Sequence, residues 1–316
     1  MIKPSVTLAI DLGATNLRVG LVKIDEKGMP FVVDVIRDSS AKDNPTVLYH
    51  EITTMIDQII HRNPTIKFTH IGVSLCGLVE NGRTATKLPN LHIEHFELAD
   101  WLERDYPGVK VLCANDANCA ALSEAIFGSA SDVNDSYYIT VSSGIGGGYV
   151  YQKQLINTTL EIGHCVREFE GKLVEQEQYL SGNGLARLAA YNGLENMKAA
   201  DIFSAVRESK RNNTPLEPKI KKTYEDWYKG LGLLIANLQL EFNLDKIVLA
   251  GGVMKSSDVF LDDLFHVASA FAANYPLKPI RFVLAKFDQD SGLVGAATVG
   301  FSIKDYVCRS EERRVG

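Results

Sequence analysis

The sequence has no long hydrophobic run. Of its 316 residues 23% are charged, and the apolar stretch that follows Lys3 stops at Asp11. That stretch is too short for a signal peptide or a membrane span. We therefore expect a cytoplasmic protein that has no membrane partner.

Cysteine is scarce, and its spacing does not suggest a metal site or a disulfide framework. The five cysteines are odd in number and form no Cys-x-x-Cys pair. This usage is typical of reduced, mostly buried thiols, and it argues against a disulfide frame or a four-ligand zinc site. The cysteines are Cys76, Cys113, Cys119, Cys165 and Cys308.

A basic surface is also missing. The net charge is −6, and the lysines and arginines are scattered. Nucleic-acid binding normally needs a stripe of such residues, so we expect no nucleic-acid partner. The short basic run from Lys219 to Lys222 is interpreted as the solvated start of a helix. The length and the 46% apolar content suffice for two domains with separate cores.

Two common nucleotide-binding motifs are absent. No glycine is followed by Lys and Ser or Thr at the spacing of a P-loop. A dinucleotide-binding turn leads from a strand into a helix. Here Gly13 is followed by the alternating apolar residues Leu17, Val19 and Leu21, which predict a strand.

Two glycine-centred loops are present instead. The runs 11–16 and 142–148 each lie between two alternating apolar segments, so each is predicted to be the tip of a β-hairpin. Small residues in such a tip allow backbone N–H groups to approach an anion. A third glycine pair, Gly251-Gly252, follows another predicted strand. Together they predict a nucleotide whose phosphates are held from several sides.

Strands and helices alternate along the chain, which predicts an α/β protein in two halves with a ligand cleft between them. We predict an N-terminal domain over 1–115, completed by a helix at about 291–316, a second domain over 116–290, and a hinge near 113–117. Predicted strands are 6–10, 19–22, 31–36, 71–75, 109–113, 137–141, 149–151, 247–249 and 282–284; predicted helices are 45–61, 96–106, 117–127, 180–190, 201–209 and 222–242.

These motifs resemble, in order, those of the ROK family of sugar kinases and related repressors. Residues 9–16 resemble the first phosphate motif, 140–148 the second, and 249–253 the adenosine motif. Residues 115–121 resemble the catalytic segment and 161–164 the sugar-binding segment. The resemblance implies a two-domain actin-like ATPase fold, related to ribonuclease H, with an interdomain cleft. It also implies ATP as co-substrate, together with Mg²⁺.

Asp116 is the candidate general base. It follows a predicted strand at the start of a predicted helix, where a carboxylate could take a proton from a sugar hydroxyl. The alternative is a helix N-cap, a position that favours Asp. Asp11 is the candidate Mg²⁺ ligand, through water, and its alternative is a turn-stabilising residue.

The remaining candidate ligands follow the family motifs. For the phosphates and nucleotide they are Gly13, Thr15, Asn16, Ser143, Gly144, Gly146, Gly147, Gly251 and Gly252, in addition to Asp11. For the sugar the resemblance implies Asn90, Asn115, Glu161, His164 and Glu177, together with Asp116.

One segment departs from the family pattern. Many members carry a Cys-x-Cys-Gly-x-x-Gly-Cys run before the last of these glutamates, and bind zinc with the histidine. The corresponding stretch here, from Cys165 to Glu175, has a single cysteine, so a tetrahedral site cannot be completed. We expect no bound zinc, which leaves His164 available to a sugar.

A second departure is Cys76, which stands where the family usually has proline. A nucleophilic role is disfavoured because no histidine or basic residue flanks it.

The function predicted from these residues is an ATP-dependent hexose kinase. Its substrate would be glucose-like or N-acetylmannosamine-like, phosphorylated at the 6-hydroxyl. The alternative is a sugar-responsive regulator of the same family without its DNA-binding domain; a cytoskeletal or chaperone ATPase is disfavoured by the sugar-binding segment. The long helix at 222–242 could take part in a homodimer, but core packing explains its apolar face equally well.

Overall fold

The structure, a computed structural model, describes residues 6–158, 160–287 and 291–303. Two compact units are present. The first comprises the described residues up to 131, then 153–158 and those from 287 onward; the second comprises 132–152 and 160–286. Cys308 and the distal part of the predicted C-terminal helix lie outside the described residues. The predicted domain boundary at 115 and 116 stays a prediction.

The strands of the first unit are β1 Val6–Leu12, β2 Asn16–Ile24, β3 Pro30–Ser39, β4 His70–Leu75, β5 Leu78–Glu80, β6 Thr84–Lys87, β7 Lys110–Asn115 and β10 Gln154–Leu155; its helices are α1 Pro45–Arg62, α2 Leu98–Asp105, α3 Asp116–Ile126 and α9 Ser291–Phe301. Five of these strands form a mixed sheet in the order β3-β2-β1-β4-β7. Strand β1 is antiparallel to β2 and parallel to β4, and β4 is parallel to β7.

Helix α1 begins as its sequence predicts. The side-chain Oδ1 atom of Asn44 accepts hydrogen bonds from the Thr46 and Val47 amides at 2.9 and 3.2 Å, and Pro45 occupies the first turn. Its apolar face buries residues such as Ile52 and Ile56 in the core of the first unit. This packing fixes one face of the sheet.

The second unit has a sheet of its own. Strand β9 is antiparallel to β8, while β8, β13 and β14 run parallel. Its strands are β8 Ser136–Val141, β9 Ile145–Tyr151, β11 Val166–Phe169, β12 Lys172–Glu175, β13 Lys246–Ala250 and β14 Phe282–Leu284; its helices are α4 Glu177–Leu180, α5 Gly182–Tyr191, α6 Ala199–Asn212, α7 Pro218–Phe242 and α8 Ser257–Ala272.

Trp227 lies at the centre of the second core. Its ring is fully buried and meets Phe203 and Phe260 at centroid distances of 5.2 and 5.0 Å. Its indole N–H donates to the Leu180 carbonyl at 2.8 Å. One side chain therefore joins α4, α6, α7 and α8, and the buried polar group is satisfied.

Several predicted elements differ from the structure. The predicted helix 180–190 is two helices, because Ser181 has an extended backbone and caps α5 by accepting from the Gly184 amide. Helix α8 was not predicted. The run 142–148 is not wholly a hairpin tip, since β9 already begins at Ile145. Among the residues described, no helix has both the length and the apolar content needed to cross a membrane.

Helix α9 packs closely on the first sheet at Gly72 of β4. A Cβ atom at Gly72 would overlap the Ala296 carbonyl oxygen and approach the Gly300 amide nitrogen at 2.5 Å. Neither backbone group can move without displacing the helix.

We expect Gly72→Ala to lower the free energy of unfolding by about 3 kcal/mol or more, the upper range of overpacking. The matched control is Gly28→Ala, in a turn where an added Cβ meets nothing and only the positive φ of 78° opposes it. That control is expected to cost about 1 to 2 kcal/mol. Urea unfolding measures both, and equal losses would contradict the packing account.

Candidate active site

Two acidic residues, Asp11 and Asp116, lie at the edge of the first sheet where its parallel strands end. In the parallel ladder Leu12 is level with Leu75, and Leu75 with Asn115. Asp11 thus lies one residue before the end of β1, and Asp116 directly follows β7. Neighbouring strands are about 4.8 Å apart, so β1 and β7 are separated by roughly 10 Å.

Asp116 is the first residue of α3, and its neighbour is the N-cap. The side-chain Oδ1 atom of Asn115 accepts from the Ala117 amide at 2.9 Å, and its Nδ2 group donates to the Gly77 carbonyl at 3.0 Å. Asp116 is exposed and accepts from the same Ala117 amide at 2.8 Å. The alternative that Asp116 is the N-cap is wrong. The positive end of the helix dipole favours its ionised carboxylate.

The first hairpin tip is short and leaves amide groups unused. It consists of Gly13, Ala14 and Thr15, and the Gly13 amide donates to the Asn16 carbonyl at 2.9 Å. Ser40 braces the tip by donating through Oγ to the Gly13 carbonyl at 3.0 Å. Within the described part of the chain, the amides of Ala14 and Thr15 have no acceptor. Unpaired N–H groups in a turn are suited to binding an anion.

Asp11 lies within β1 and not in the turn, so the turn-stabilising alternative for it is wrong. The residue is 9% exposed. Its Oδ2 atom accepts from Arg18 Nε at 2.8 Å and lies 2.5 Å from Arg18 Nη2. Gly292 lies beside this carboxylate. A Cβ atom built on Gly292 would lie 2.5 and 2.6 Å from the two Asp11 carboxylate oxygens.

The pKa of the Cys76 thiol is affected by both carboxylates. The Cys76 amide donates to the Leu12 carbonyl at 3.1 Å, which places it at the same edge of the sheet. Burial raises the pKa of its thiol to about 11, and the negative charges of Asp116 and Asp11 add to that effect. A thiol with this pKa is protonated at neutral pH and is a poor nucleophile.

In the second unit, two glycine segments meet at the ends of parallel strands. The turn after β8 comprises Ser142, Ser143 and Gly144, and the Ser142 carbonyl accepts from the Gly182 amide at 2.7 Å. Gly251 follows β13 with a φ of 94°, and a Cβ there would overlap the Val141 carbonyl oxygen. Only glycine tolerates both conditions.

This turn also has unused donors. Among the described residues, the amides of Ser143 and Gly144 donate to no acceptor, and Ser143 is exposed. Around Gly252 no atom would lie within 4 Å of an added Cβ, so the space beside it is open.

Gly146 and Gly147 are strand residues. They pair with Thr140 and Ile139 of β8. A Cβ at Gly147 would lie 2.8 Å from atoms of Ile162 and Tyr137, so this glycine permits close packing behind the sheet. Their phosphate contacts stay predictions.

Glu177 connects three segments of the second unit. Its Oε2 atom accepts from the Ile145 amide at 3.1 Å. The same oxygen would lie 2.7 and 3.1 Å from Cβ atoms built on Gly144 and Gly163. The first turn of α4 is thereby held against the hairpin tip and against the 3-10 turn Ile162–His164.

His164, at the end of that 3-10 turn, lies near two carboxylates. Its Nδ1 atom is 3.3 Å from Glu175 Oε2, and its Nε2 atom is 4.0 Å from Glu161 Oε2. The His164 and Glu175 side chains are 52% and 43% exposed. A pair this exposed contributes only about 0 to 1 kcal/mol to stability.

The structure therefore gathers the predicted residues within each unit. One sheet edge of the first unit holds Asp11, Gly13, Thr15, Asn16, Asn115 and Asp116. Asn90 belongs to the same unit but is exposed on a separate 3-10 turn, between the buried Leu88 and Leu91. The second unit brings Ser143, Gly144, Gly251 and Gly252 together, and Glu161, His164 and Glu177 lie around the 3-10 turn.

Arg18 and Glu175 were not predicted. Arg18 had a signal in the sequence. If Leu12 and Leu17 pair across the four residues 13–16, then Asp11 faces Arg18 across the hairpin, as the register shows. Glu175 had none, because its contact with His164 depends on the fold of the β11–β12 hairpin.

Comparison with known proteins finds relatives along nearly the whole chain. A sequence model of the ROK family matches residues 7–300. A glucokinase of Halalkalibacterium halodurans is 25% identical over 91% of this chain and 92% of its own length. An N-acetylmannosamine kinase of Citrobacter koseri is 26% identical over 92% of this chain and 97% of its own length.

Solved structures show the fold. A ROK hexokinase from Thermus thermophilus has a TM-score of 0.78 at 24% identity, covering 96% of this chain and 100% of that one. A Streptomyces griseus glucokinase in complex with glucose and AMPPNP has a TM-score of 0.67 at 21% identity, covering 94% and 99%. The chain has the two-domain α/β fold of the actin-like ATPases, as the sequence predicted.

The surroundings of Cys76 generate a prediction. We expect Cys76 to be alkylated far more slowly than the exposed Cys165 at neutral pH, with a rate that rises about tenfold per pH unit toward pH 11. Asp116→Asn removes one of the charges that raise the pKa, so it should speed alkylation of Cys76 and leave Cys165 unchanged. Mass spectrometry of timed, metal-free samples measures both rates. Fast alkylation of Cys76 at neutral pH would contradict the described surroundings.

Proposed function

Because the chain belongs to the ROK family, we propose that it is an ATP-dependent hexose kinase that transfers the γ-phosphoryl group of ATP to a sugar hydroxyl, at carbon six. One observation carries the proposal. The exposed carboxylate of Asp116 lies at a helix N-terminus, on the same sheet edge as Asp11 and a turn with unused amides.

Asp116 is the proposed general base. Phosphoryl transfer requires aligned reactants, neutralisation of phosphate charge and a base for the attacking hydroxyl. The hydroxyl proton passes to an Asp116 oxygen as the sugar oxygen bonds to the γ-phosphorus. The bond from that phosphorus to the β,γ-bridging oxygen then breaks, and ADP leaves. Asn115 supports this role because it caps α3 and is anchored to Gly77, which fixes where Asp116 begins.

The phosphates are proposed to bind the unused amides of the two hairpin tips. In the first unit these belong to Ala14 and Thr15, with the Thr15 and Asn16 side chains beside them; in the second they belong to Ser143 and Gly144. Gly251 and Gly252 are proposed to contact the nucleotide, since their backbone leaves open space at the end of β13.

Asp11 fits the expected Mg²⁺, which prefers oxygen ligands and retains much of its water. Its Oδ2 atom is paired with Arg18, and the absent side chain at Gly292 leaves room beside the carboxylate. When bound, the ion neutralises charge on the phosphates. We expect Asp11 to hold it through water while Arg18 orients the carboxylate.

The sugar is proposed to bind Asn90, Asn115, Glu161, His164 and Glu177, together with Asp116. Relatives named glucokinase and N-acetylmannosamine kinase support a glucose-like or N-acetylmannosamine-like acceptor.

A cytoplasmic location stays a prediction. So does a homodimer involving α7, whose buried residues such as Leu231 and Ile235 are explained by the core of the second unit.

A regulator is the second candidate. A xylose repressor of Bacillus subtilis is 22% identical over 88% of this chain and 73% of its own length. A regulator needs to bind its sugar but does not need a base, so the two candidates differ in catalysis.

A coupled ADP-release assay with a panel of sugars tests the function. We expect ATP consumption that requires Mg²⁺ and at least one of glucose, N-acetylmannosamine, allose, fructose or a β-glucoside. Phosphorylation of the 6-hydroxyl is checked by NMR of the product. Sugar binding by calorimetry without any ATP consumption would favour the regulator and contradict the kinase.

Asp116→Asn tests the base. We expect kcat to fall by about 10² to 10⁴-fold, the usual contribution of a positioned base, with unfolding unchanged because Asn115 still caps α3. The matched control is Asp258→Asn. Asp258 is also an acidic residue in the first turn of a helix, but it is paired with Arg207. This control variant should retain activity. A fully active Asp116→Asn enzyme would contradict the assignment.

A further inference from the structure

The β11–β12 hairpin brings Glu175 against His164. Val166 pairs with Glu175, and beyond them the Gln176 amide donates to the Cys165 carbonyl at 2.9 Å. Glu175 thus lies at the open end of the hairpin, beside the 3-10 turn that ends at His164. The Gln176 side chain donates to the Ile162 carbonyl of that turn at 3.3 Å.

The hairpin is held in place by aromatic packing. Phe169 stacks on Tyr179 of α4 at 4.1 Å between ring centroids and meets Tyr191 of α5 edge-on at 5.4 Å. Both partners belong to the second unit. The position of Glu175 is therefore fixed by the fold and not by its exposed contact with His164.

The nearby acidic groups have different partners. The Oε2 atom of Glu177 accepts a hydrogen bond from the Ile145 amide. Glu161 is 4.0 Å from His164 Nε2, beyond hydrogen-bond distance. Glu175 lies 3.3 Å from Nδ1. Glu175 is therefore nearer to the His164 ring than Glu161 is.

We propose that Glu175 is a positioning residue that accepts the Nδ1 proton of His164 and directs Nε2 toward a sugar hydroxyl. The partner of one imidazole nitrogen determines where the proton lies and how the ring is oriented. With the proton on Nδ1, the unprotonated Nε2 of the neutral ring accepts from a hydroxyl, next to the acceptor oxygens of Glu161. This inference rests on the proposed sugar kinase function.

The same residues raise a competing possibility. Ligand atoms of His164, Glu175 and Glu177 lie within 4.8 Å of one another, a spacing that could hold a metal ion. A metal on Nδ1 would exclude a proton there. The two arrangements therefore predict opposite states for one nitrogen.

Glu175→Ala, Glu175→Gln and the control Glu170→Gln test the proposal. Glu170 is exposed in the turn of the same hairpin, so its variant changes the charge equally without touching His164. We expect Glu175→Ala to raise KM for the sugar about 10 to 100-fold, the range for groups that orient a ligand residue. KM for ATP and kcat should change little. Glu175→Gln should restore most of the affinity, because its amide oxygen can still accept the Nδ1 proton.

NMR of the imidazole nitrogens provides a readout independent of activity. At mildly alkaline pH, we expect the His164 Nδ1 signal to be that of a protonated nitrogen in the parent protein and in Glu170→Gln. This signal should be lost in Glu175→Ala. A His164→Ala spectrum assigns it.

Three outcomes would overturn the inference. They are an unchanged sugar KM in Glu175→Ala, an unchanged His164 spectrum in that variant, or one equivalent of zinc in the parent protein that is lost in it. Failure of the parent protein to phosphorylate any sugar would instead overturn the proposed function, while the NMR comparison would still decide whether Glu175 holds the ring.

Discussion

The register of the parallel strands β1, β4 and β7 is the constraint on which the candidate site depends. Because Leu12, Leu75 and Asn115 are level, the chain leaves all three strands at one edge. That edge receives the glycine tip after β1, Cys76 after β4 and Asp116 after β7. A shift of one residue in β1 would turn Asp11 to the opposite face of the sheet. Close packing of α9 at Gly72 stabilises this register.

In the second unit, parallel strands also end at one edge, but the groups there are glycine-rich turns and not carboxylates. The parallel pair β8 and β13 ends at the Ser142–Gly144 turn and at Gly251. In this unit the Glu177 carboxylate accepts a hydrogen bond from the Ile145 amide. The β11–β12 hairpin places Glu175 beside His164. A contact between side chains this exposed contributes little stability, so we propose that its role is to orient the His164 ring.

Local signals in the sequence explain which features could be predicted. Asn44-Pro45 marks the start of α1, and alternating apolar residues identify the hairpins, because both depend on neighbouring residues. The break at Ser181 was missed although it has a local signal, an N-cap serine whose Oγ atom accepts from the Gly184 amide. The contact between the Gly182 amide and the Ser142 carbonyl, far away in sequence, could not be predicted. Helix α8 did carry a signal, in buried residues Phe260, Leu264 and Ala268 at helical spacing. Asp116 could be named from its motif, but only the structure shows that Asn115 takes the cap position.

A structure of the protein crystallised with a hexose and a non-hydrolysable ATP analogue tests the central claim most directly. The account predicts the triphosphate against the amides of Ala14, Thr15, Ser143 and Gly144, and an Asp116 oxygen within hydrogen-bond distance of the sugar's 6-hydroxyl. A nucleotide bound away from these turns, or a sugar hydroxyl out of reach of Asp116, would contradict it.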